Sequence, residues 1–148
     1  MNIYTSYYSS PVLRKISPEE LIPVSISLYP PKGWTGHHYL PLCPEKDIFR
    51  EVKSTGTHQT YVRQLLDQLD HLDPVHVLDD LRNMSGGKPV VLLCFEKPRP
   101  TIGDGNDIFC HRTVVGQWLS AKLGIVVPEL TERNFTCTNQ TTDEIPLF

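Results

Sequence analysis

The chain has 148 residues, of which 39% are hydrophobic and 21% are charged. That length is enough for one domain with a substantial core, and that composition is typical of a folded protein rather than a disordered one. The net charge of −3 argues against a general electrostatic attraction to nucleic acid or to anionic membranes. No stretch approaches the roughly 18 consecutive apolar residues that a membrane span requires.

The N-terminus lacks the basic-then-apolar pattern of a secretory signal, so we expect a cytoplasmic protein. In that reducing compartment all four cysteines are expected to be free thiols, namely Cys43, Cys94, Cys110 and Cys137. None of them forms a Cys-x-x-Cys pair, and the familiar zinc spacings are missing. We therefore expect no metal ion and no other cofactor.

The N-terminal part of the chain alternates between strand and turn patterns. Residues 2–8 are rich in Tyr, Thr and Ile and predict a first strand. Ser17 is a suitable cap for a short helical turn, and residues 24–28 alternate apolar and polar side chains as a second strand does. Residues 30–44 contain several prolines and glycines, which predict a long surface loop without regular structure.

The central part of the chain is predicted to form two helices. Residues 57–72 carry a stripe of apolar side chains at helical spacing, which comprises Tyr61, Leu65, Leu66, Leu69 and Leu72. Asp73 and Pro74 are typical of a helix start, so a second helix is expected over 75–84. The sequence Ser-Gly-Gly that follows is expected to end it.

The C-terminal part of the chain predicts a buried strand and a further helix. Residues 88–95 are almost wholly apolar, as in a strand of a parallel sheet that is covered on both faces. A helix is expected over 111–123, ended by Gly124, and a short edge strand over 125–130. The resulting prediction is an α/β fold, a single three-layer domain over 1–130 with a small, mostly parallel sheet flanked by helices. Residues 131–148 are expected to be a weakly ordered tail.

Ionisable side chains converge on one edge of the predicted sheet. Cys94 and Glu96 lie at the end of the buried strand, whereas Cys110, His111 and Arg112 lie at the start of the following helix. In parallel sheets these two ends share an edge, and ligands usually bind along it. A helix N-terminus and an arginine both attract anions, so the sequence predicts a site for a phosphate-bearing or nucleotide-like ligand.

Each of these residues has a catalytic or binding interpretation and a structural one. Cys110 is a nucleophile candidate or an inert thiol, and His111 is an acid–base candidate or a cap of its own helix. Glu96 would orient these groups or form an ion pair with Arg112, and that pair would not exclude a role of Arg112 in binding the ligand. Cys94 would contact the ligand or simply pack in the core.

Two residues outside this cluster are further ligand-binding candidates. Trp34, in the predicted loop, would supply a stacking face for a base, or else would belong to an aromatic cluster that seals the core. Arg99, with neighbouring lysines, would line a basic groove if the ligand were the end of a nucleic acid.

Four segments of the sequence resemble the domain of unknown function 488 family. They are "YLPLCPEKDIF", "TYVRQLLDQLDHLDPVHVLDDL", "VVLLCFEKP" and "CHRTVVGQWLSAKLGIVVPEL". The resemblance implies a small α/β protein of the bacterial, archaeal and phage type. The family is marked by a Leu-Leu-Cys-x-Glu strand end and a Cys-His-Arg helix start. The resemblance covers roughly residues 23–130. It implies a prokaryotic or phage origin and the signature positions Cys94, Glu96, Cys110, His111 and Arg112.

The chain departs from the family pattern at two places. The segment between the two motifs is longer than expected, and "SLYPPKGW" replaces an aspartate-arginine pair that many members carry after the second strand. Three functional hypotheses follow from the cluster. In the first, the domain binds a small anionic ligand or a nucleic-acid end without changing it. In the second, it is an enzyme that uses cysteine and histidine to act on a nucleotide-type substrate. In the third, it is an interaction protein whose Glu–Arg network is purely structural.

Overall fold

A four-stranded parallel sheet forms the centre of the domain. The computed structural model describes residues 1–46, 58–95 and 111–135. The strands β1 (Ile3–Tyr7), β2 (Ile22–Ser25), β3 (His37–His38) and β4 (Val90–Cys94) are arranged in the order β1-β4-β2-β3. All the pairs are parallel. The predicted α/β class is therefore confirmed.

Helices cover this sheet on one face, and a short helix with loops covers the other. The helices of the described residues are α1 (Pro11–Arg14), the 3-10 helix Leu40–Leu42, α2 (His58–Asp70), α3 (Pro74–Ser85) and α4 (His111–Leu123). The larger core cluster joins α2, α3 and α4 to side chains such as Val24, Val90 and Leu92. A smaller cluster around Val91 and Leu93 packs with α1 on the opposite face.

Strand β4 is the central element because strands flank it on both sides. It pairs with β1 and with β2 along most of its length, and each of its five residues is buried. A strand that is covered on both faces needs apolar residues throughout, which explains the uninterrupted run Val-Val-Leu-Leu-Cys. The predicted strand 88–95 is thus confirmed with trimmed ends.

Strand β2 begins two residues before the predicted 24–28. Ile22 and Pro23 pair with the start of β4, so the register with β4 decides where the strand begins. Pro23 lacks a backbone N–H, and its position is tolerated because β3 pairs with β2 only from Val24 onward. The strand ends at Ser25, but the next residue, Ile26, is still fully buried.

The prediction that 30–44 lacks regular structure is wrong. His37 and His38 form β3, and Leu40–Leu42 forms a 3-10 helix. The backbone of this segment pairs with β2, since Tyr39 N–H donates to the Ser25 carbonyl oxygen at 3.0 Å. A sheet edge that offers unpaired backbone groups overrides the low strand propensity of a segment rich in proline and glycine.

Helix α1 was not predicted, whereas the turn at Ser17 is confirmed. Ser10 caps α1 through its side chain, which accepts from Leu13 N–H. The Ser17 hydroxyl accepts from Glu19 N–H at 3.2 Å, in a turn closed by the bond from Leu21 N–H to the Ser17 carbonyl oxygen. Both are local side-chain caps of the kind that serine favours.

The three long helices follow the predicted boundaries closely. Asp73 caps α3 by accepting from Val75 N–H at 3.0 Å, and Gly86 ends the helix in the left-handed conformation with φ of 64°. Gly124 follows α4, also with positive φ. No helix of the described residues combines the length and the apolar character needed to cross a membrane.

The segment after α4 adds a parallel bridge at the outer edge of β1, where Glu129 pairs with Thr5. The edge strand expected over 125–130 is present only as this single bridge. Residues 131–135 continue as a turn against β1, and the Tyr4 hydroxyl donates to the Asn134 carbonyl oxygen at 2.9 Å. The remainder of the expected tail, 136–148, lies outside the described residues.

Candidate functional site

The carboxyl edge of the sheet buries a concentration of polar side chains. The amino ends of the strands begin with apolar residues such as Ile3, Ile22 and Val90. Six buried polar residues lie at or just beyond the other ends of the strands and at the start of α4, namely Ser6, Ser10, Ser25, Ser27, His111 and Arg112. The other two of the described residues are Thr5, within β1, and Ser85, which ends α3 and contacts Met1. Burying polar groups costs free energy unless they are hydrogen-bonded, so this asymmetry marks the carboxyl edge as the candidate site.

Arg112 is the most deeply buried charged group of this edge, with 2% of its side chain exposed. Its Nε and Nη2 donate to the two carboxylate oxygens of Glu129 at 2.9 and 3.0 Å. Its Nη1 donates to the Cys94 sulfur at 3.1 Å, and its guanidinium carbon lies 5.7 Å from the centre of the Tyr7 ring. The predicted proximity of Cys94 and Arg112 is therefore present.

Glu129 is a residue of this edge that was not among the predicted site residues. Its carboxylate forms a two-point pair with Arg112 and also accepts from the Thr5 hydroxyl at 2.8 Å. Such a planar pair is among the strongest charge-assisted interactions in proteins. The side chain of Glu129 is 35% exposed, so the pair meets solvent on the glutamate side.

His111 is buried, with 4% exposure, and its imidazole contacts the loop after β3. Nε2 lies 2.7 Å from the Leu42 carbonyl oxygen. Because a carbonyl oxygen only accepts, Nε2 carries the proton in this bond. His111 therefore connects the start of α4 to the 3-10 helix, and its side chain is not open to solvent.

A hydroxyl cluster occupies the opposite face of the same edge. The Tyr8 hydroxyl lies 2.6 Å from Ser25 Oγ and donates to Ser27 Oγ at 2.9 Å. Burial raises the pKa of Tyr8, partly offset by these two hydrogen bonds. Ser6 Oγ, on the same face of β1, is buried without a hydrogen-bond partner among the described residues. A lone buried hydroxyl of this kind is uncommon in folded proteins.

His38 and Cys43 form a further buried group beside β2. His38 Nε2 lies 2.9 Å from the Ser27 carbonyl oxygen and 3.5 Å from the Cys43 sulfur. Burial raises the pKa of Cys43 to about 12, so its sulfur stays protonated at neutral pH. A protonated, buried thiol is a weak nucleophile and a poor metal ligand.

Trp34 lies on the face opposite to Arg112, beside the smaller core cluster. Its ring meets Tyr8 edge-on with 5.4 Å between the ring centres, and Phe95 meets Tyr8 at 4.8 Å. Trp34 is thus part of an aromatic cluster at the strand ends, while its own ring remains partly exposed.

Three predicted site residues lie outside the described residues, and they are Glu96, Arg99 and Cys110. The alternative pairing of Arg112 with Glu96 is therefore untested, although Glu129 holds two of its nitrogen donors. Within the part of the chain that the structure describes, no three His, Cys, Asp or Glu side chains are grouped as a metal site requires.

Comparison with known families adds one decisive match. The family described as "Active DUF488-N3 subclade" matches residues 12–123, which is about three quarters of the chain. The chain belongs to the DUF488 family. No curated protein and no solved structure matches it. The family match covers β2, β4 and α4, so the Cys94–Arg112 contact lies inside the DUF488 region, whereas Glu129 lies beyond its end.

Proposed function

We propose that this DUF488 domain binds a small anionic ligand of the nucleotide type at the carboxyl edge of its sheet, beside Arg112 and Cys94. The observation that carries the proposal is the concentration of buried polar side chains, Arg112 among them, at one edge of the sheet. Open parallel sheets bind their ligands at that edge. Arg112 provides a permanent positive charge and a planar fork that matches phosphate.

At this site Glu129 and a bound phosphate would compete for Arg112. In this structure the carboxylate occupies Arg112 Nε and Nη2, as the oxygens of a bound phosphate would. Glu129 is about one-third exposed, so its side chain can turn toward water when an anion arrives. The ligand then replaces one negative charge by another, and the buried guanidinium is never left unpaired.

A thermal-shift screen tests the proposal. Inorganic phosphate, ribose 5-phosphate, nucleoside 5′-monophosphates and short oligonucleotides are added to the wild type, and a ligand that binds the folded state raises its melting temperature. We expect a shift with the monophosphates that Arg112→Lys loses, because lysine keeps the charge but not the fork. A shift with the oligonucleotides alone would identify a nucleic-acid end as the ligand instead. If no compound shifts the melting temperature, the proposal is refuted and the Glu–Arg network has a purely structural role.

A second candidate function is catalysis that uses a cysteine, and the contact between Arg112 Nη1 and the Cys94 sulfur favours it. A neighbouring guanidinium stabilises a thiolate, which is the reactive form of cysteine. The matching subclade is described as active, which supports chemistry over a purely structural role. Cys94 and Cys110 are the candidate nucleophiles, with His111 and Glu96 as the candidate acid–base or orienting groups.

Alkylation followed by peptide mass spectrometry tests this second candidate. We expect Cys94 or Cys110 to react with iodoacetamide at neutral pH faster than Cys43, whose thiol is protonated. The reaction should slow in Arg112→Lys and in the presence of a nucleoside monophosphate. Equal, slow labelling of all cysteines in the folded protein would rule out an activated thiol.

A further inference from the structure

A cavity opens on the sheet face opposite to Arg112, between α1 and the segment that carries Trp34. Its volume is about 460 Å³. The lining includes Tyr8, Leu13, Ile16, Pro31, Trp34 and Leu93. This volume lies within the range of roughly 300–1,000 Å³ that is typical of small-molecule sites, and mostly apolar walls with an aromatic side are typical of them too.

Trp34 is held in place although its ring is only partly buried. Its Nε1 donates to the His37 carbonyl oxygen at 3.0 Å. A Cβ atom at Gly36 would lie 2.7 Å from Trp34 Cζ2, so any side chain at that position would displace the indole. The partly exposed indole of Trp34 adds little to the core. Because its orientation is fixed, less entropy is lost when a ligand stacks on it.

Tyr8 forms the second aromatic wall and is equally constrained. Its hydroxyl is anchored by Ser25 and Ser27, and its ring plane is inclined by 67° to that of Trp34. A planar heteroaromatic ring that lies flat on one of these side chains meets the other with its edge, which is a favoured geometry for aromatic pairs.

The cavity and the Arg112 site are adjacent across the ends of two strands. Tyr7 faces Arg112, whereas the next residue, Tyr8, lines the cavity. In the neighbouring strand, Cys94 contacts Arg112, whereas the next residue, Phe95, packs on Tyr8. Consecutive side chains of a strand point to opposite faces, so a ligand that passes around the strand ends would meet both sides.

We propose that the cavity binds the nucleobase of a nucleotide whose phosphate lies on the Arg112 side of the strand ends. The nature of the ring rests on the proposed function above, whereas the cavity and its fixed aromatic walls stand on their own geometry. Arg14, an exposed lining residue without an ion pair among the described residues, adds a positive charge at the cavity but is not required for the phosphate.

Tryptophan fluorescence separates the two halves of the ligand. The chain has two tryptophans, and Trp118 is 3% exposed, so a quench by an added ligand that disappears in Trp34→Phe reports the cavity. We expect nucleoside 5′-monophosphates to quench strongly and the parent nucleosides to quench with at least tenfold weaker affinity. Ribose 5-phosphate should raise the melting temperature without quenching.

Gly36→Ala supplies a variant in which both aromatic rings are chemically intact. It should weaken nucleotide binding about tenfold, because base stacking is typically worth ~1–3 kcal/mol. Thr35→Ala, at an exposed position of the same segment, is the matched control and should bind as the wild type does. Wild-type affinity in Gly36→Ala would overturn the inference.

The two proposals fail in different ways. Stabilisation by ribose 5-phosphate with no quench by any nucleotide would overturn the base site and leave the anion site standing. Quenching by nucleosides that a phosphate does not improve would support the base site and refute the anion site. Loss of monophosphate binding in Arg14→Gln would place the phosphate at the cavity and overturn the proposed orientation across the strand ends.

Discussion

Arg112 could be placed at the carboxyl edge of the sheet from the sequence, whereas its partner could not. The position of Arg112 at a helix start next to a strand end follows from the pattern of apolar residues and glycines around it. The strand end and the helix start were expected to share one edge for that reason, and Arg112 Nη1 lies 3.1 Å from the Cys94 sulfur there. Glu129 becomes its partner only because the chain after α4 returns to the outer edge of β1, which is a tertiary event. No local periodicity encodes that return.

The Glu129–Arg112 pair is expected to contribute measurably to stability. Glu129→Gln leaves a guanidinium of which 2% is exposed without its counter-charge. Breaking a buried pair costs about 3–5 kcal/mol, and partial exposure of Glu129 reduces this to ~2 kcal/mol in urea unfolding. Glu132→Gln removes the exposed pair with Lys15 and serves as the control, with an expected change within about 0.5 kcal/mol. Equal losses of unfolding free energy in the two variants would show that the buried pair contributes no more to stability than the exposed pair.

We expect the protein to lose stability at alkaline pH because the thiol of Cys43 is buried. Burial raises the pKa of this thiol to about 12 from an ordinary value of 9.0. The folded state therefore keeps its proton while the unfolded chain releases it, so its contribution is complete below pH 9 and is lost as pH rises toward 12.

Denaturant titrations from pH 8 to pH 11 measure this effect. The free energy of unfolding of the wild type should fall more steeply than that of Cys43→Ala, by up to about 1.4 kcal/mol per pH unit. Tyrosines such as Tyr8 titrate in both proteins, so the difference isolates the thiol. Parallel curves for the two proteins would contradict the assigned burial effect.

At the scale of elements, the long helices and β4 were predictable because their signals are local. A helical stripe, an aspartate cap before a proline and a glycine after the last turn define α3 without reference to the rest of the chain. Strand β2 was predicted with shifted bounds and β3 was not predicted, since the limits of both depend on pairing with neighbouring strands. Short strands in parallel sheets are decided by register, which sequence periodicity does not contain.

Gly116 in α4 allows the close approach of the edge segment that carries Glu129. A Cβ atom at this position would meet Val127 Cγ1 at 3.4 Å and Thr5 Cγ2 at 3.6 Å. Alanine is therefore accommodated, and its better helix propensity should leave stability unchanged or raise it by up to ~1 kcal/mol.

Larger side chains at this position should instead displace the edge segment. Gly116→Leu is expected to lower the free energy of unfolding by at least about 1 kcal/mol, because the added atoms overpack the contact with Val127. Its near-ultraviolet circular dichroism should also change. A leucine variant as stable as the alanine variant would show that the segment is not held against α4.

For the whole molecule, the edge at which a site is proposed was predictable and many of the contacts along it were not. A parallel sheet brings its strand ends and the starts of the following helices to one edge, so the proximity of Cys94 and Arg112 follows from topology. Side chains that face each other across strands, such as Tyr8 and Ser25, need the strand order β1-β4-β2-β3, which the sequence analysis did not derive. Trp34 was recognised as an aromatic candidate, but its fixed orientation depends on Gly36.

Calorimetric titration of a nucleoside 5′-monophosphate into the wild type, Glu129→Gln and Glu132→Gln tests the central claim most directly. If phosphate competes with Glu129 for Arg112, the Glu129→Gln variant binds the ligand at least about tenfold more tightly, which corresponds to ~1.4 kcal/mol. The Glu132→Gln control should match the wild type. Equal affinity in all three proteins, or no binding in any of them, would contradict an anion site at Arg112.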